Sequence, residues 1–184
     1  MIIKKTSINE CYEIIPNIFK DERGSFVKTF NKDIFIENKL ETDFKEEYYS
    51  VSKKNVFRGM HFQIPPMDHT KIVYCISGNV LDVILDLRKG SLTYGKYQTF
   101  ELNSETCNII YIPTGLAHGF LTLSDSATMV YNVSSVHSSE HDCGVHWNSF
   151  EFNWPTSDMI ISNRDNSFVN LKDFKSPFIY KGEF

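Results

Sequence analysis

Short runs of β-forming residues, separated by turn residues, constrain the fold of this chain more than any other feature of its sequence. Nine such runs occupy residues 25–30, 47–52, 55–62, 71–76, 80–87, 98–102, 108–112, 119–123 and 128–133. Turn signals recur roughly every 8 to 12 positions, and Ser77, Gly78 and Asn79 form a typical hairpin turn between two of the runs. This spacing is typical of an antiparallel β-sandwich or β-barrel.

The composition agrees with an all-β fold, because the 184 residues include 15 Phe, 9 Tyr and 2 Trp, and flat rings pack well on pleated sheets. Helical periodicity is sparse. Residues 32–38 are expected to form a short helix, and the part from residue 148 onward is expected to wrap the barrel as loops and short helices. The length suits one domain, which we expect to span residues 1–184.

Charge and hydropathy argue against two classes of partner. The net charge of −4 and the lack of a basic cluster argue against nucleic-acid binding. No stretch reaches the ~18 apolar residues of a membrane span, and residues 1–6 lack the long apolar run of a signal peptide. We therefore expect a cytoplasmic protein that binds neither nucleic acid nor membrane.

Polar residues interrupt the apolar runs at a few positions. Arg58 and His61 lie within one strand, Lys71 begins the next, His118 follows a Pro-Thr-Gly turn, and Tyr131 is a weaker candidate. Taken singly, each has a common structural explanation as a hydrogen-bonded histidine, a solvated cation or a packed tyrosine. Because an unpaired buried charge is costly, we expect the set to converge at the mouth of the barrel, which is a frequent ligand site.

His61, Gln63 and His118 also invite comparison with metal sites in β-barrels, which use a His-x-His pair, a Glu and a later His. Glutamine is a poor substitute for a neutral imidazole at a transition metal. The stretch from Gln63 to Gly78 contains no Glu and includes Lys71, a cation that would repel a metal. We therefore expect no metal ion.

Six segments of the chain resemble, in order, the dTDP-4-dehydrorhamnose 3,5-epimerase family of the cupin superfamily. They are residues 21–26 (Asp-Glu-Arg-Gly-Ser-Phe), 50–66 (ending Arg-Gly-Met-His-Phe-Gln-Ile-Pro-Pro), 71–73 (Lys-Ile-Val), 86–95 (Asp-Leu-Arg-Lys-Gly-Ser-Leu-Thr-Tyr-Gly), 112–120 (Ile-Pro-Thr-Gly-Leu-Ala-His-Gly-Phe) and 154–155 (Trp-Pro). The resemblance implies a cupin-type double-stranded β-helix, the jelly-roll barrel, with short helices near the C-terminus. It also implies a homodimer that needs no cofactor.

The resemblance implies catalytic roles for His61 as base, Asp165 as its carboxylate partner, Tyr131 as the acid on the opposite face and Lys71 as the cation near the substrate carbonyl. These residue types suit a 4-keto sugar, whose C3 and C5 protons are acidic because the carbanion spreads onto O4 as an enolate. Imidazole titrates near neutral pH, and a carboxylate on its other nitrogen fixes the tautomer. A cation stabilises the enolate oxygen, and a phenol can return the proton on the other face.

Several further residues are implied to contact a nucleotide-sugar substrate. Arg23, Arg58 and His118 match groups that hold or line the diphosphate, for which arginine supplies paired, charged hydrogen bonds. The other expected substrate contacts are Phe26, Lys28, Glu46, Tyr48 and Gln63.

Some positions depart from the family pattern. Val136 and His137 stand where the family often has adjacent tyrosines, which leaves open whether C3, C5 or both are inverted. Glu46 and Tyr48 replace the Gln and Asn of a Gln-x-Asn-x-Ser pattern, and Lys28 replaces a frequent Glu. A carboxylate at position 46 either accepts hydrogen bonds from a guanine edge or faces solvent, so the nucleotide is dTDP or GDP. The sequence also leaves open whether the sugar is a hexose or a heptose.

The leading interpretation is an epimerase that inverts C3, C5 or both in a nucleotide-linked 4-keto-deoxy sugar, for the activated sugars of a surface polysaccharide. One alternative is a metal-free 3,4-ketoisomerase, whose family lacks the Arg-Gly-x-His-x-Gln-x-Pro-Pro arrangement. A second is a non-catalytic sugar-nucleotide binding module, which would have no need of His61 and Asp165. A third, a metal-dependent dioxygenase, is disfavoured by Gln63 and Lys71.

Overall fold

Two antiparallel sheets face each other in the computed structural model, which describes residues 1–182. The six-stranded sheet has the order β1 (Ile2–Lys5), β2 (Tyr12–Ile15), β10 (Ile109–Ile112), β7 (Lys71–Ser77), β12 (Ser126–Val133) and β5 (Glu46–Lys53). The five-stranded sheet has the order β13 (Asp142–Gly144), β6 (Phe57–Gln63), β11 (Leu116–Thr122), β8 (Asn79–Asp86) and β9 (Tyr97–Asn103). A separate hairpin pairs β3 (Ile18–Asp21) with β4 (Gly24–Val27). Residues 183 and 184 of the expected domain lie outside the described range.

This arrangement confirms the predicted all-β jelly-roll barrel, and each of the nine predicted runs overlaps one strand from β4 to β12. The predicted short helices are also present, as α1 (Lys32–Glu37), α2 (Asn163–Asn166) and a 3-10 helix (Leu171–Asp173). Strands β1, β2, β3 and β13 were not predicted. They have only three or four residues each, so no alternating pattern could develop along them.

None of the helices within residues 1–182 has the length and apolar character needed to cross a bilayer.

Apolar side chains from both sheets fill the barrel interior. This interior core comprises Ile8, Cys11, Val73, Cys75, Val80, Ile84, Leu102, Ile110, Ile112, Leu116, Phe120, Ala127, Met129 and Tyr131. Each large apolar side chain buried in this way stabilises the fold by roughly 1.5–3 kcal/mol. The polar residues of the site therefore stand at the margin of a dry, closely packed core.

The outer faces of both sheets are also covered. Helix α1 places Phe35 against Ile14 and Ile72 of the six-stranded sheet. The C-terminal segment, residues 145–178, covers the five-stranded sheet through a second aromatic core, in which the Trp154 ring meets Phe57 edge-on at 4.8 Å between centroids. This covering brings the C-terminal segment beside strand β6.

Strand β6 contains an irregularity next to its histidine. His61 pairs with His118 of β11, but Arg58 pairs with Phe120, so β6 has one more residue than β11 between the two pairs. Gly59 lies in this bulge with φ of +155°, and a Cβ on it would stand 2.6 Å from the Gly119 Cα. The position therefore requires glycine, which lets the two strands approach closely.

Candidate active site

A cavity of about 370 Å³ opens at one end of the barrel, between the margins of the two sheets. Its walls are formed by Glu46, Tyr48, His61, Phe62, Gln63, His69, Lys71, Val133, His137, Asp142 and Arg164. Five of the predicted site residues, Glu46, Tyr48, His61, Gln63 and Lys71, therefore meet at one surface. The strands that supply them, β5, β6 and β7, belong to both sheets, so the site depends on closure of the barrel.

His61 is paired with Asp165, as the sequence predicted. The Nε2 atom of His61 lies 2.8 Å from Asp165 Oδ1, and the Gly59 N–H donates to Asp165 Oδ2 at 3.2 Å. Ser162 caps helix α2 by accepting a hydrogen bond from the Asp165 N–H, which fixes the backbone at the carboxylate. The carboxylate is thereby aimed at the imidazole from the start of a short helix.

The charge on Asp165 determines the tautomer of His61. Burial opposes ionisation of Asp165, but the hydrogen bonds from His61 and Gly59 and the attraction of the His61 ring lower its pKa below the ordinary value. An ionised carboxylate only accepts hydrogen bonds, so the His61 Nε2 carries a hydrogen and the Nδ1 of a neutral ring holds a lone pair. Among residues 1–182, no protein group hydrogen-bonds this Nδ1, which leaves it available as a base.

Lys71 is a buried cation on the cavity wall. Its side chain is almost fully buried, and its Nζ donates to the backbone oxygen of His61 at 3.4 Å. Burial lowers the pKa of Lys71 to about 8, against the opposing attraction of Asp142 and Asp82. No carboxylate in the described part of the chain lies within ion-pair distance of this ammonium group. The cation is therefore free to attract negative charge in the cavity.

Tyr131 lies behind the wall rather than on it. Its ring stacks on that of Tyr48, with centroids 4.8 Å apart, and its hydroxyl lies 3.2 Å from Ser50 Oγ. Burial raises the pKa of Tyr131 far above its ordinary value, so the phenol stays protonated at neutral pH. Tyr48 lines the cavity directly, and burial raises its pKa to about 12. Both phenols belong to the six-stranded sheet, opposite the sheet that carries His61.

His118, predicted to line the diphosphate, does not line this cavity. It is buried inside the barrel with its Nε2 2.6 Å from Oδ2 of Asp82, which is fully buried. Burial lowers the pKa of His118, and the charge of Asp82 opposes that effect. Sequence reasoning missed Asp82, although an acidic residue within the apolar run of β8 was a signal that it needed a buried partner.

Four residues predicted to bind substrate also lie away from the cavity wall. Arg58 extends toward β5, where its Nε donates to Ser52 Oγ at 2.9 Å. Arg23 and Phe26 belong to the β3–β4 hairpin, Lys28 follows it, and Arg23 forms an ion pair with Asp21. A single chain therefore does not bring these residues to the cavity.

Gln63 and Glu46 contact a segment that we call the wall segment, residues 134–138. Gln63 Oε1 accepts from the Ser138 N–H at 2.6 Å, and its Nε2 lies 3.2 Å from the Val136 oxygen. Glu46 Oε2 accepts from the His137 N–H at 2.7 Å. These two side chains hold the backbone of the wall segment, and His137 contributes to the cavity wall.

Sequence reasoning also missed His69, Asp142 and Arg164 as cavity residues. Arg164 and Asp142 form an ion pair of 2.7 Å. The signal for Arg164 was its place beside Asp165, whereas nothing near His69 or Asp142 in the sequence marked them. Within residues 1–182, no three His, Cys, Asp or Glu side chains converge as a metal site requires.

Lys71→Met should stabilise the fold at neutral pH, because it removes a buried ammonium group that forms no ion pair with a carboxylate of residues 1–182. The folded pKa of about 8 lies below the ordinary 10.5, so between these values the unfolded chain binds more protons than the folded one. The free energy of unfolding of the wild type should rise by about 3 kcal/mol across this range on account of Lys71. Urea denaturation at a series of pH values measures the rise. The variant should lack it, and parallel profiles for the two proteins would contradict the desolvation of Lys71.

Comparison with known proteins places this chain in one family. The family model described as dTDP-4-dehydrorhamnose 3,5-epimerase matches residues 5–173. The dTDP-4-dehydrorhamnose 3,5-epimerase of Methanothermobacter thermautotrophicus is 39% identical over 174 residues, which cover 92% of this chain and 94% of that protein.

Solved structures agree with the sequence comparison. The dTDP-6-deoxy-D-glucose-3,5-epimerase of Legionella pneumophila, in complex with dTDP-4-keto-L-rhamnose, superposes with a TM-score of 0.93 at 31% identity, covering 98% of this chain and 99% of that chain. A 3'-monoepimerase from Streptomyces bikiniensis in complex with dTDP-quinovose has a TM-score of 0.87 at 29% identity, covering 92% of this chain and 87% of that chain. The chain described here belongs to the dTDP-4-dehydrorhamnose 3,5-epimerase family, a family of isomerases.

Proposed function

We propose that this protein is an epimerase that inverts C3, C5 or both in a dTDP-linked 4-keto-6-deoxy sugar, in the biosynthesis of activated sugars. The observation that carries the proposal is the presence of His61 and Lys71 on the cavity wall, where no group of the described residues hydrogen-bonds the His61 Nδ1 or forms an ion pair with Lys71. The names of the relatives, which refer to this reaction, support the same conclusion.

His61 removes the proton from the carbon next to the sugar carbonyl. The Nδ1 lone pair accepts this proton, and the ring then carries a positive charge. The Asp165 carboxylate, 2.8 Å from Nε2, stabilises that charge and keeps the ring oriented toward the cavity. The edge of Phe168 packs against the imidazole, with centroids 5.7 Å apart, and limits its rotation.

Lys71 stabilises the enolate oxygen that forms when the proton leaves. With a pKa of about 8, its ammonium group is still charged at neutral pH. A cation in a poorly solvated wall attracts developing negative charge more strongly than a lysine in water. The contact from Nζ to the His61 backbone oxygen keeps this cation close to the base, so a substrate whose carbonyl oxygen contacts Lys71 can present the adjacent carbon to His61.

Tyr131 returns the proton on the opposite face of the sugar. Inversion requires a donor across the ring from the base, and Tyr131 belongs to the sheet that faces the His61 strand. Its raised pKa keeps the hydroxyl protonated until the carbanion forms. Tyr48 lines the cavity and Tyr131, whose ring stacks on it, does not, so this step requires Tyr48 to shift or to relay the proton.

His61→Ala should abolish solvent deuterium uptake at both C3 and C5, because it removes the imidazole that Asp165 orients as the base, and kcat should fall by about 100- to 10,000-fold. Tyr131→Phe should impair inversion more than exchange, since exchange needs only the base. Incubation of a dTDP-linked 4-keto-6-deoxyhexose in deuterated water, read by NMR and mass spectrometry, measures both and counts the inverted centres.

Tyr48→Phe is the matched comparison for Tyr131→Phe, because the two hydroxyls belong to stacked rings. Uncoupling of exchange from inversion in Tyr48→Phe alone would assign the acid to Tyr48. Wild-type exchange in His61→Ala would refute the role proposed for His61.

The nucleotide is proposed to be dTDP. One oxygen of Glu46 is already engaged by the His137 N–H, which gives this carboxylate a role in the wall segment without a guanine base. We expect titration calorimetry to show tighter binding of dTDP than of GDP. A clear preference for GDP would instead assign Glu46 to a guanine edge.

A homodimer would account for Arg23 and Phe26, the hairpin residues that a single chain leaves away from its cavity. Within residues 1–182, the β3–β4 hairpin pairs with no other strand, and it exposes Phe19 and Phe26, each about three-fifths accessible. The edge strand β5 exposes Tyr49 and Val51 beside Ile76 of β7, a surface that a second copy could cover. We propose that the hairpin of one chain reaches the cavity of the other and brings Arg23 to the diphosphate.

Complementation between two inactive variants tests this arrangement. His61→Ala leaves the hairpin intact, and Arg23→Ala leaves the base intact. If the hairpin serves the partner chain, a co-expressed heterodimer contains one fully wild-type site and should recover about half of the wild-type activity. If the hairpin serves its own chain, no site is complete and activity should stay at the level of the variants. A monomer in solution would contradict the proposal directly.

A further inference from the structure

His69 lies on the cavity wall two residues before Lys71, and none of the steps above uses it. Its Nδ1 atom is 3.2 Å from Gln63 Nε2 and 3.2 Å from Ser135 Oγ. The orientation of the Gln63 amide is unambiguous, because its Oε1 accepts the Ser138 N–H. The Nδ1 edge of the imidazole ring is therefore held by Gln63 of strand β6 and by Ser135 of the wall segment.

The second ring nitrogen has a different environment. In the described part of the chain, Nε2 of His69 has no hydrogen-bond partner, although the residue is half-buried. Burial, together with the positive charges of Lys71 and His137, lowers the pKa of His69 to about 3. The ring is therefore neutral at physiological pH, and it presents one polar atom to the cavity without a net charge.

We propose that His69 is a substrate-binding residue whose Nε2 hydrogen-bonds a hydroxyl group of the sugar ring. This inference rests on the proposed function. Gln63 Nε2 can only donate, so His69 Nδ1 accepts and the neutral ring carries its hydrogen on Nε2, which donates to the hydroxyl oxygen. A phosphate oxygen carries charge, and a charged arginine serves it better than a neutral imidazole.

The position of His69 also favours the sugar over the nucleotide. His69 contacts Gln63, which lies two residues after the base, and it precedes the enolate-binding Lys71 by two residues, in the loop that leads into strand β7. A group that contacts the base strand and lies next to the start of the lysine strand is close to both residues that act on the reacting carbons. Its hydrogen bond would orient the ring so that one carbon at a time faces His61.

Two substitutions separate the two nitrogens of His69. In His69→Asn, the shorter amide can keep the contacts of Nδ1 with Gln63 and Ser135 but cannot reach the place of Nε2. In His69→Gln, the longer amide places a polar atom near Nε2. Isothermal titration with dTDP and with dTDP-quinovose, which has a sugar but no keto group, compares binding of the nucleotide with binding of the whole molecule.

We expect His69→Asn to weaken dTDP-quinovose binding about three- to tenfold, the loss of one neutral hydrogen bond, and to leave dTDP binding unchanged. His69→Gln should recover most of the affinity. In turnover assays the loss should appear mainly in KM. Wild-type binding of dTDP-quinovose by His69→Asn, or equal loss for both ligands, would overturn the proposal, as would failure of His69→Gln to recover affinity. Failure of the proposed function is distinct, because the wild type would then catalyse no deuterium exchange.

Discussion

The hydrogen bond between His61 and Asp165 is the interaction on which the arrangement of the site depends. It joins a strand of the barrel to a helical turn 104 residues later in the chain. The C-terminal segment reaches this place because its aromatic side chains cover the five-stranded sheet, with Trp154 on Phe57 and Phe174 on Phe62. Hydrophobic burial thus offsets the cost of placing a charged pair at the edge of the core.

The polar side chains around the cavity fall into two groups. Gln63 and Glu46 use their polar atoms on the backbone of the wall segment, so they shape the cavity. His61, His69 and Lys71 each keep a nitrogen or a hydrogen that the described protein groups leave unpaired. Because buried polar groups normally find partners, such unsatisfied atoms on a cavity wall indicate where a substrate supplies them. Gln63 and Glu46 therefore shape the cavity wall, whereas His61, His69 and Lys71 provide the atoms that can contact a substrate.

The sequence predicted strands and site residues correctly where the local pattern of residues agreed with the long-range contacts of the fold. Strands β5 to β12 carry enough alternating apolar residues to be recognised, whereas β1 and β13 become strands only by pairing with β2 and β6. Within the site, His61 and Lys71 were identifiable because each breaks an apolar run. Asp82 breaks one too, but the sequence did not indicate that it would pair with His118. His69 follows two prolines in a loop, where a histidine carries no such signal.

By itself, the sequence determined the barrel, the presence of His61 and of its partner Asp165, and the family of the chain, because strand periodicity and short motifs are local properties of the chain. Only the tertiary structure decided which polar atoms remain free. Gln63 and Glu46 hydrogen-bond the wall segment, and His118 pairs with Asp82 inside the barrel. The β3–β4 hairpin lies away from the cavity of its own chain. The packing of the two sheets brings together hydrogen-bond partners that are far apart in sequence. The pattern of residues along the chain therefore does not show which residues will be partners.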